Sequence, residues 1–183
     1  MGSTTVCESR LIEESLAIMR ELRDETREMV LLHVQLDDRE GVALNTMSSL
    51  HQVRLMVDPG THFEFHNTAP GKLILAYLPE KESEKIMAGL KLTGTTEKTI
   101  TSREKLLLEV EEARRRGYAF DRGECVEGVM CVSAPIFDRN RMFTAALTVS
   151  GPTTHLTMTK LKELVPVVVT AAGRISKKLG YEL

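Results

Sequence analysis

The segment CVSAPIFDRNRMFTAALTVSG, residues 131–151, constrains the fold more than any other part of the chain. Its two halves alternate with period two around a polar centre, which predicts antiparallel strands joined by a turn. With Arg139-Asn140 at the tip, Cys131 lies opposite Thr148, Val129 opposite Ser150 and Ser133 opposite Ala146. These residues share one face, and Phe143, Ala145, Leu147 and Val149 take the other. A face turned to solvent would carry long charged side chains, and one covered by helices would carry Leu and Ile. Small hydroxyl and thiol groups either let helices pack close or leave room for a polar guest. The residues alone leave both readings open, and a one-residue slip of register would exchange the faces.

Around this hairpin the hydrophobic period changes repeatedly. Residues 9–26 place Ile12, Leu16 and Met19 on a helical stripe with Leu11, Ile18 and Leu22 beside it. Met29 to Leu36 and Val42 to Met47, separated by DDREG, predict a second hairpin. Residues 48–58 show no clear period, and HFEFH at 62–66 alternates as a short strand should. Pro70 opens a helix whose apolar run is Leu73 to Leu78, and another follows Pro79 with Ile86, Met87 and Leu90 on one side. Thr101-Ser102-Arg103-Glu104 reads as a capping box for a helix that Gly117 closes. Strands are predicted around 118–121, 127–137 and 142–150. After Gly151-Pro152, the residues Leu161, Leu164, Val165, Val168, Ala172, Ile175 and Leu179 recur at helical spacing, with Pro166 expected to kink the helix. This order of helix, strands, helices, strands and helix predicts an α+β domain around an antiparallel sheet.

The 183 residues suffice for one domain with a sizeable core. A net charge of −2 with intermixed signs gives no electrostatic footprint for nucleic acid. The run Arg114-Arg115-Arg116 complements the dipole at a helix C-terminus. Cys7, Cys125 and Cys131 make no disulfide framework, and with no signal peptide or spanning apolar run the expected location is the cytoplasm. Met1-Gly2-Ser3 reads as an expression scar, so residues 1–8 are set apart as a scar and linker remnant and the domain is drawn over 9–183.

Two clusters invite chemistry. Thr68-Ala69-Pro70-Gly71-Lys72 starts a helix with a glycine straight after a proline. Glycine there suits a close approach to the backbone, and helix N-termini attract anions. His62, Glu64 and His66 share one face of a strand, but three ligands on a single strand close poorly around a tetrahedral metal. No metal and no cofactor is expected.

The stretches THFEFHNTAPGKLILAYLPE, ITSREKLLLEVEEARRRGYAFDRGECVEGVMCVSAPIFD and AALTVSGP resemble the effector-binding domain of IclR-type bacterial transcription regulators, over roughly residues 9–181. The His-x-Thr-Ala-x-Gly-Lys helix start, the Arg-Gly-Tyr-x-x-Asp turn, the Glu-Gly-Val-x-Cys strand and the Ser-Gly-Pro exit occur together and in family order. The resemblance implies a GAF-like domain, a curved antiparallel sheet with helices on both faces, that binds a small effector, commonly an organic or aromatic acid, and is not an enzyme. It also implies a preceding winged helix-turn-helix domain that reads operator DNA, for which this chain has no room. Assembly into homodimers or homotetramers is implied as well.

Carried over residue by residue, the resemblance places the effector site at Ala69, Pro70 and Gly71 of the helix start, with Asp121, Cys131, Thr148 and Ser150. Pro70 departs from the expected amide cradle because it has no N–H. Asp121 would repel a carboxylate unless one partner is protonated or the ligand offers it a hydroxyl, and a turn-capping role explains the same residue. His66, a family landmark, is expected to orient the helix start. Two rival readings remain. One is a GAF-like free methionine sulfoxide reductase with Cys125 and Cys131 as attacking and resolving thiols. The other is an oligomerisation module with a collapsed pocket.

Overall fold

The computed structural model describes residues 2–182, with side chains from Ser9 to Glu182, so the side chain of Cys7 and all of Met1 lie outside the described residues. Strand β1 (Met29–Gln35) is buried almost throughout, as a central strand with both faces covered must be. It pairs antiparallel with β2 (Glu40–Met47) on one side and β6 (Phe143–Pro152) on the other. Beyond β2 lies β3 (His62–Glu64), and beyond β6 lie β5 (Val129–Phe137) and β4 (Ala119–Asp121). The result is a curled six-stranded sheet in the order β3-β2-β1-β6-β5-β4.

Alternation divides the core in two. Val30, Leu32 and Val34 of β1, Val132, Ala134 and Ile136 of β5, and Ala145, Leu147 and Val149 of β6 face one side. There they meet helices α1 (Gly2–Thr26) and α5 (Met158–Lys178). On the other side, helices α2 (Ala69–Tyr77), α3 (Glu80–Gly89) and α4 (Arg103–Arg116) form a second core around Phe65, Leu73, Ile74 and Leu106, touching the sheet at Ala119 and Ala146. This is the α+β layering expected from the order of elements.

Several local expectations are corrected. Helix α1 begins at Gly2, seven residues before the helical stripe read from residue 9. Its buried stripe is Leu11, Ser15, Ile18, Met19 and Leu22, while Leu16 is exposed. Ser15 belongs to the stripe because its hydroxyl donates to the Leu11 carbonyl at 2.6 Å and brings no unsatisfied polar group inside. Strand β3 stops at Glu64 because the chain must turn into α2. The cap of α4 is Ser102 rather than Thr101, accepting from the Lys105 N–H, and Gly117 ends the helix in the left-handed region at φ 77°. Helix α5 is continuous through Pro166.

The hairpin register differs by two residues from the expected one. Cys131 pairs with Ser150, Ser133 with Thr148 and Pro135 with Ala146. The turn is longer than a two-residue tip: Asp138 Oδ1 accepts from the Asn140 and Met142 N–H groups, and Arg141 adopts φ 62°. A shift of two preserves side-chain parity, so the small residues still share a face. The bulge between Ile136 and Phe137 does change the faces near the turn, and Phe143 consequently stacks on Tyr77 of α2 rather than joining the α1–α5 core.

The start of α2 is fixed by two contacts. A Cβ on Gly71 would stand 2.3 Å from Phe65 Cα and 2.4 Å from the Phe65 carbonyl oxygen, so the glycine lets the helix lie against that backbone. Lys72, in the next position, is fully buried, and its Nζ donates to Glu124 Oε1 at 2.8 Å and to the Phe120 carbonyl at 2.9 Å. Glu109 of α4 stands 3.5 Å away and is shared with Arg122. Burial would push the Glu109 carboxyl up, but Lys72 and Arg122 outweigh it and hold it below its usual range.

Gly71→Ala should therefore destabilise the fold by about 1–3 kcal/mol or more in urea unfolding. Unchanged stability would mean that backbone packing does not require the glycine. Lys72→Met should cost about 3–5 kcal/mol because it strands the buried Glu124 carboxylate. Adding Glu124→Gln should restore most of that loss, whereas equal losses in both variants would show that the aliphatic stem of Lys72 matters rather than the pair.

Candidate functional site

The face opposite α1 and α5 carries two rows of small residues across the strands. The first is Asp121, Cys131 and Ser150, continued by Met29; the second is Ala119, Ser133 and Thr148, continued by Leu31. Where α2 and its core end, the sheet leaves a cavity of about 280 Å³ above these rows. Asp121, Cys131, Thr148 and Ser150 lie along its floor and side. Pro70 and Thr68 close it at the start of α2, and the 55–57 segment and Val126 form its lips.

The floor is fixed by hydrogen bonds. His33 Nδ1 lies 2.9 Å from Thr148 Oγ1, which lies 2.7 Å from Ser133 Oγ. Burial holds the His33 pKa down to about 3, so its ring is neutral at physiological pH. It therefore orients the Thr148 hydroxyl and supplies no cation. The Cys131 thiol donates to Ser150 Oγ at 3.1 Å, leaving the Ser150 hydrogen to point elsewhere. Edge-on against Phe63, with ring centroids 4.9 Å apart, His33 is held from the cavity side as well.

Asp121 serves two directions at once. Its Oδ1 accepts from the Gly123 and Glu124 N–H groups at 3.0 and 2.7 Å, which is the turn-capping role. Its Oδ2 faces Cys131 Sγ at 4.0 Å on the cavity side. Burial raises the pKa to about 6, helped by the Glu124 charge and opposed by the two backbone donors and Lys72.

At the start of α2 the amides are largely committed. Gly71 N–H donates to the Thr68 side chain at 3.2 Å and Lys72 N–H to the Thr68 carbonyl at 3.2 Å. Pro70 has no N–H, so the cap leaves the Ala69 N–H as the remaining first-turn donor. Pro70 forms part of the cavity wall, whereas Ala69 and Gly71 are not among the residues that line it. Among the described residues, the cavity wall contains no lysine or arginine.

Residues not anticipated from the sequence complete the site. His33 sits on β1, where the strand reads as uniformly apolar and a single histidine carries no periodic signal. Leu55 and Val57 pack on Met29, Leu31 and Ala43, while Met56 is 74% exposed. That segment lacks a period because it is a flap over the cavity rather than a helix or strand. Thr61, His62 and Phe63 complete the wall on that side.

The other clusters are separated. His62 pairs with Glu40 at 2.8 Å, while His66 lies 3.8 Å from Glu64 Oε2 and 3.0 Å from the Thr93 carbonyl, so among the described residues the three do not converge on one point. His66 thereby ties the start of α2 to the 93–99 loop, in keeping with an orienting role. Both described cysteines are free. Burial and the nearby Asp121 charge push the Cys125 thiol up to about 11, and the same causes raise Cys131 well above the usual thiol range. Neither holds an appreciable thiolate at neutral pH, which an attacking or resolving cysteine needs.

Comparison with known proteins agrees with this architecture. The family described as bacterial transcriptional regulator IclR C-terminal matches residues 3–177. The chain is 34% identical over 181 residues to the HTH-type transcriptional regulator KdgR of Escherichia coli, covering 99% of this chain and 68% of that protein. It is 29% identical to the transcriptional repressor IclR of the same organism over 98% of this chain and 66% of that one. The solved C-terminal domain of E. coli KdgR superposes with a TM-score of 0.83 at 34% identity, over 94% of this chain and 99% of that chain. The Thermotoga maritima IclR structure gives a TM-score of 0.87 at 34% identity, over 93% of this chain and 69% of that one. The chain thus spans about two thirds of such regulators and belongs to the IclR family of bacterial transcriptional regulators as its C-terminal, effector-binding domain.

Proposed function

We propose that this domain senses a small organic acid in the cavity above the Asp121–Cys131–Ser150 row, and that occupancy governs operator binding by a DNA-reading domain joined to it in the full-length regulator. The observation that carries this reading is the cavity itself. It is smaller than the ~300 Å³ at which drug-sized pockets begin, apolar at its lips and lined on its floor by oriented hydroxyls, a thiol and one carboxyl. With no lysine or arginine among its described lining residues, it holds an acid through the neutral Thr148 and Ser150 hydroxyls, with the positive end of α2 behind Pro70 adding a favourable field. Ala69, Pro70, Gly71, Asp121, Cys131, Thr148 and Ser150 are accordingly assigned to effector binding, Gly71 by setting the helix against Phe65.

The domain performs no chemistry on its ligand in this reading, since both described thiols are held protonated and the relatives are regulators by name. Among the described residues no helix is long and apolar enough to cross a membrane. The reading places the regulator in the bacterial cytoplasm as a homodimer or homotetramer.

Above about pH 6 Asp121 is a carboxylate, so the ligand must offer it a hydrogen, as a hydroxy acid or hydrated keto acid does. Affinity should then fall as pH drops through 6, by up to about tenfold per pH unit, because a protonated Oδ2 no longer accepts. Asp121→Asn should bind weakly with a flat profile between pH 5 and 8 by calorimetry. A wild-type affinity that rises on acidification would instead make Asp121 the donor. The apo domain gives an independent sign. The folded-state pKa lies above the unfolded one, so the Asp121 contribution to stability is full below pH 4 and lost as pH rises through about 6. Asp121→Asn should abolish that component of the melting profile.

Ser150→Ala should weaken a stabilising acid found in a thermal-shift screen by about ten- to a hundredfold, the loss of a ~1.5–3 kcal/mol hydrogen bond to a charged group. Apo stability should change by less than about 0.5 kcal/mol, and Arg139→Ala at the hairpin turn should alter neither quantity. Unchanged affinity in Ser150→Ala would remove the serine from the site.

A further inference from the structure

Outside the cavity, three elements bring together Glu28, His51 and His155. Glu28 links α1 to β1, His51 lies in the segment after β2, and His155 lies in the turn after β6. Each offers one ligand atom, and these atoms all lie within 4.8 Å of one another. None of the three lines the effector cavity. His155 Nδ1 is 2.8 Å and His51 Nε2 3.4 Å from Glu28 Oε1, and the two imidazole rings lie 4.1 Å apart. The Glu28 carboxylate is fully buried. Its Oε2, His51 Nε2 and His155 Nε2 are all buried without a hydrogen-bond partner. A simple ion pair accounts for one contact and leaves these atoms unsatisfied, a costly arrangement for a buried carboxylate between two rings.

The backbones that carry them are pinned in place. Leu50 N–H and Ser49 Oγ both donate to the Arg27 carbonyl at 2.9 Å, and His51 N–H donates to Ser49 Oγ at 3.1 Å. His155 N–H donates to the Pro152 carbonyl at 3.2 Å. A Cβ on Gly151 would stand 2.5 Å from Glu28 Oε2, so the glycine of the Ser-Gly-Pro exit leaves the carboxylate its room.

We infer that Glu28, His51 and His155 form a binding site for a divalent transition metal of the Zn²⁺ type. Two imidazoles and a carboxylate suit a borderline cation, with water in the fourth tetrahedral position. Bonds of ~2.0–2.1 Å place tetrahedral ligand atoms about 3.3–3.4 Å apart, which the His51–Glu28 separation already meets. If His155 binds through Nδ1, its contact with Glu28 opens by about half an ångström. The metal clamps the α1–β1 junction to the β6–α5 turn and to the root of the flap that continues into Leu55–Val57. It is independent of the effector assignment.

The test is titration of the chelator-treated chain with Zn²⁺ against a chromophoric competitor. One equivalent should bind, and His51→Ala and His155→Ala should each weaken it at least about tenfold, since even the outer partners of metal ligands are worth ten- to a hundredfold. His62→Ala should leave it unchanged. Should the His variants misfold, Co²⁺ added to the wild-type chain decides: visible bands from nitrogen and oxygen donors support the site, and an intense thiolate charge-transfer band places the metal on cysteine and overturns it. Failure to bind an equivalent, or binding that survives loss of both histidines, also overturns it.

Discussion

The buried ammonium of Lys72 is the tie on which the cavity side of the domain depends. It sits one turn into α2 and reaches the Phe120 carbonyl, Glu124 and Glu109, thereby joining that helix to β4, the following turn and α4. A lone buried ammonium would be prohibitively costly, so its partners must be present together or not at all. Their meeting fixes where the turn after β4 runs. That turn in turn supplies the two N–H groups that hold Asp121 Oδ1, and so determines that Oδ2 is the oxygen left for the cavity. The electrostatics of the site therefore begin with a residue that does not line it.

How much of this was legible in the sequence depends on what kind of signal each part emits. Strand parity is robust: the hairpin register moved by two residues, and Cys131, Thr148 and Ser150 nevertheless stayed on one face. Parity failed only at Phe143, beyond a bulge whose presence rests on turn geometry rather than alternation. The stripe of α1 was displaced because Ser15, polar by composition, satisfies itself on Leu11 and is buried like an apolar residue. The resemblance to a family supplied the cavity residues on β4, β5 and β6. The flap was invisible for a physical reason: Leu55 and Val57 bury their side chains without regular backbone structure, so they imprint no period on the chain.

Gly71 shows how one sequence feature can have a different physical cause from the one it suggests. A glycine at a helix start suggested close approach by a ligand, and close approach is what the structure contains. The approaching group is the Phe65 backbone. Because the Gly71 and Lys72 amides serve Thr68, the start of α2 does not present a cradle of several free amides. Pro70 fits this arrangement, since removing one donor from a turn whose other donors are engaged locally takes little away.

Transmission from the cavity follows from the same alternation that built it. Leu31 and His33 of β1 face the cavity, while Val30, Leu32 and Val34 between them pack on Leu11, Ile18, Met19 and Leu22 of α1 and on the inner face of α5. A strand whose neighbouring residues serve opposite cores cannot shift toward a ligand without disturbing the helix on its other side, because close-packed interiors do not absorb displacement smoothly. The hydrogen bond between His33 and Thr148 makes this stricter, since it couples β1 to β6 through side chains as well as through the ladder. A ligand that draws Thr148 into a new hydrogen bond must either replace the His33 contact or carry it along. In the second case the pull reaches α1 through β1 alone, with no hinge required.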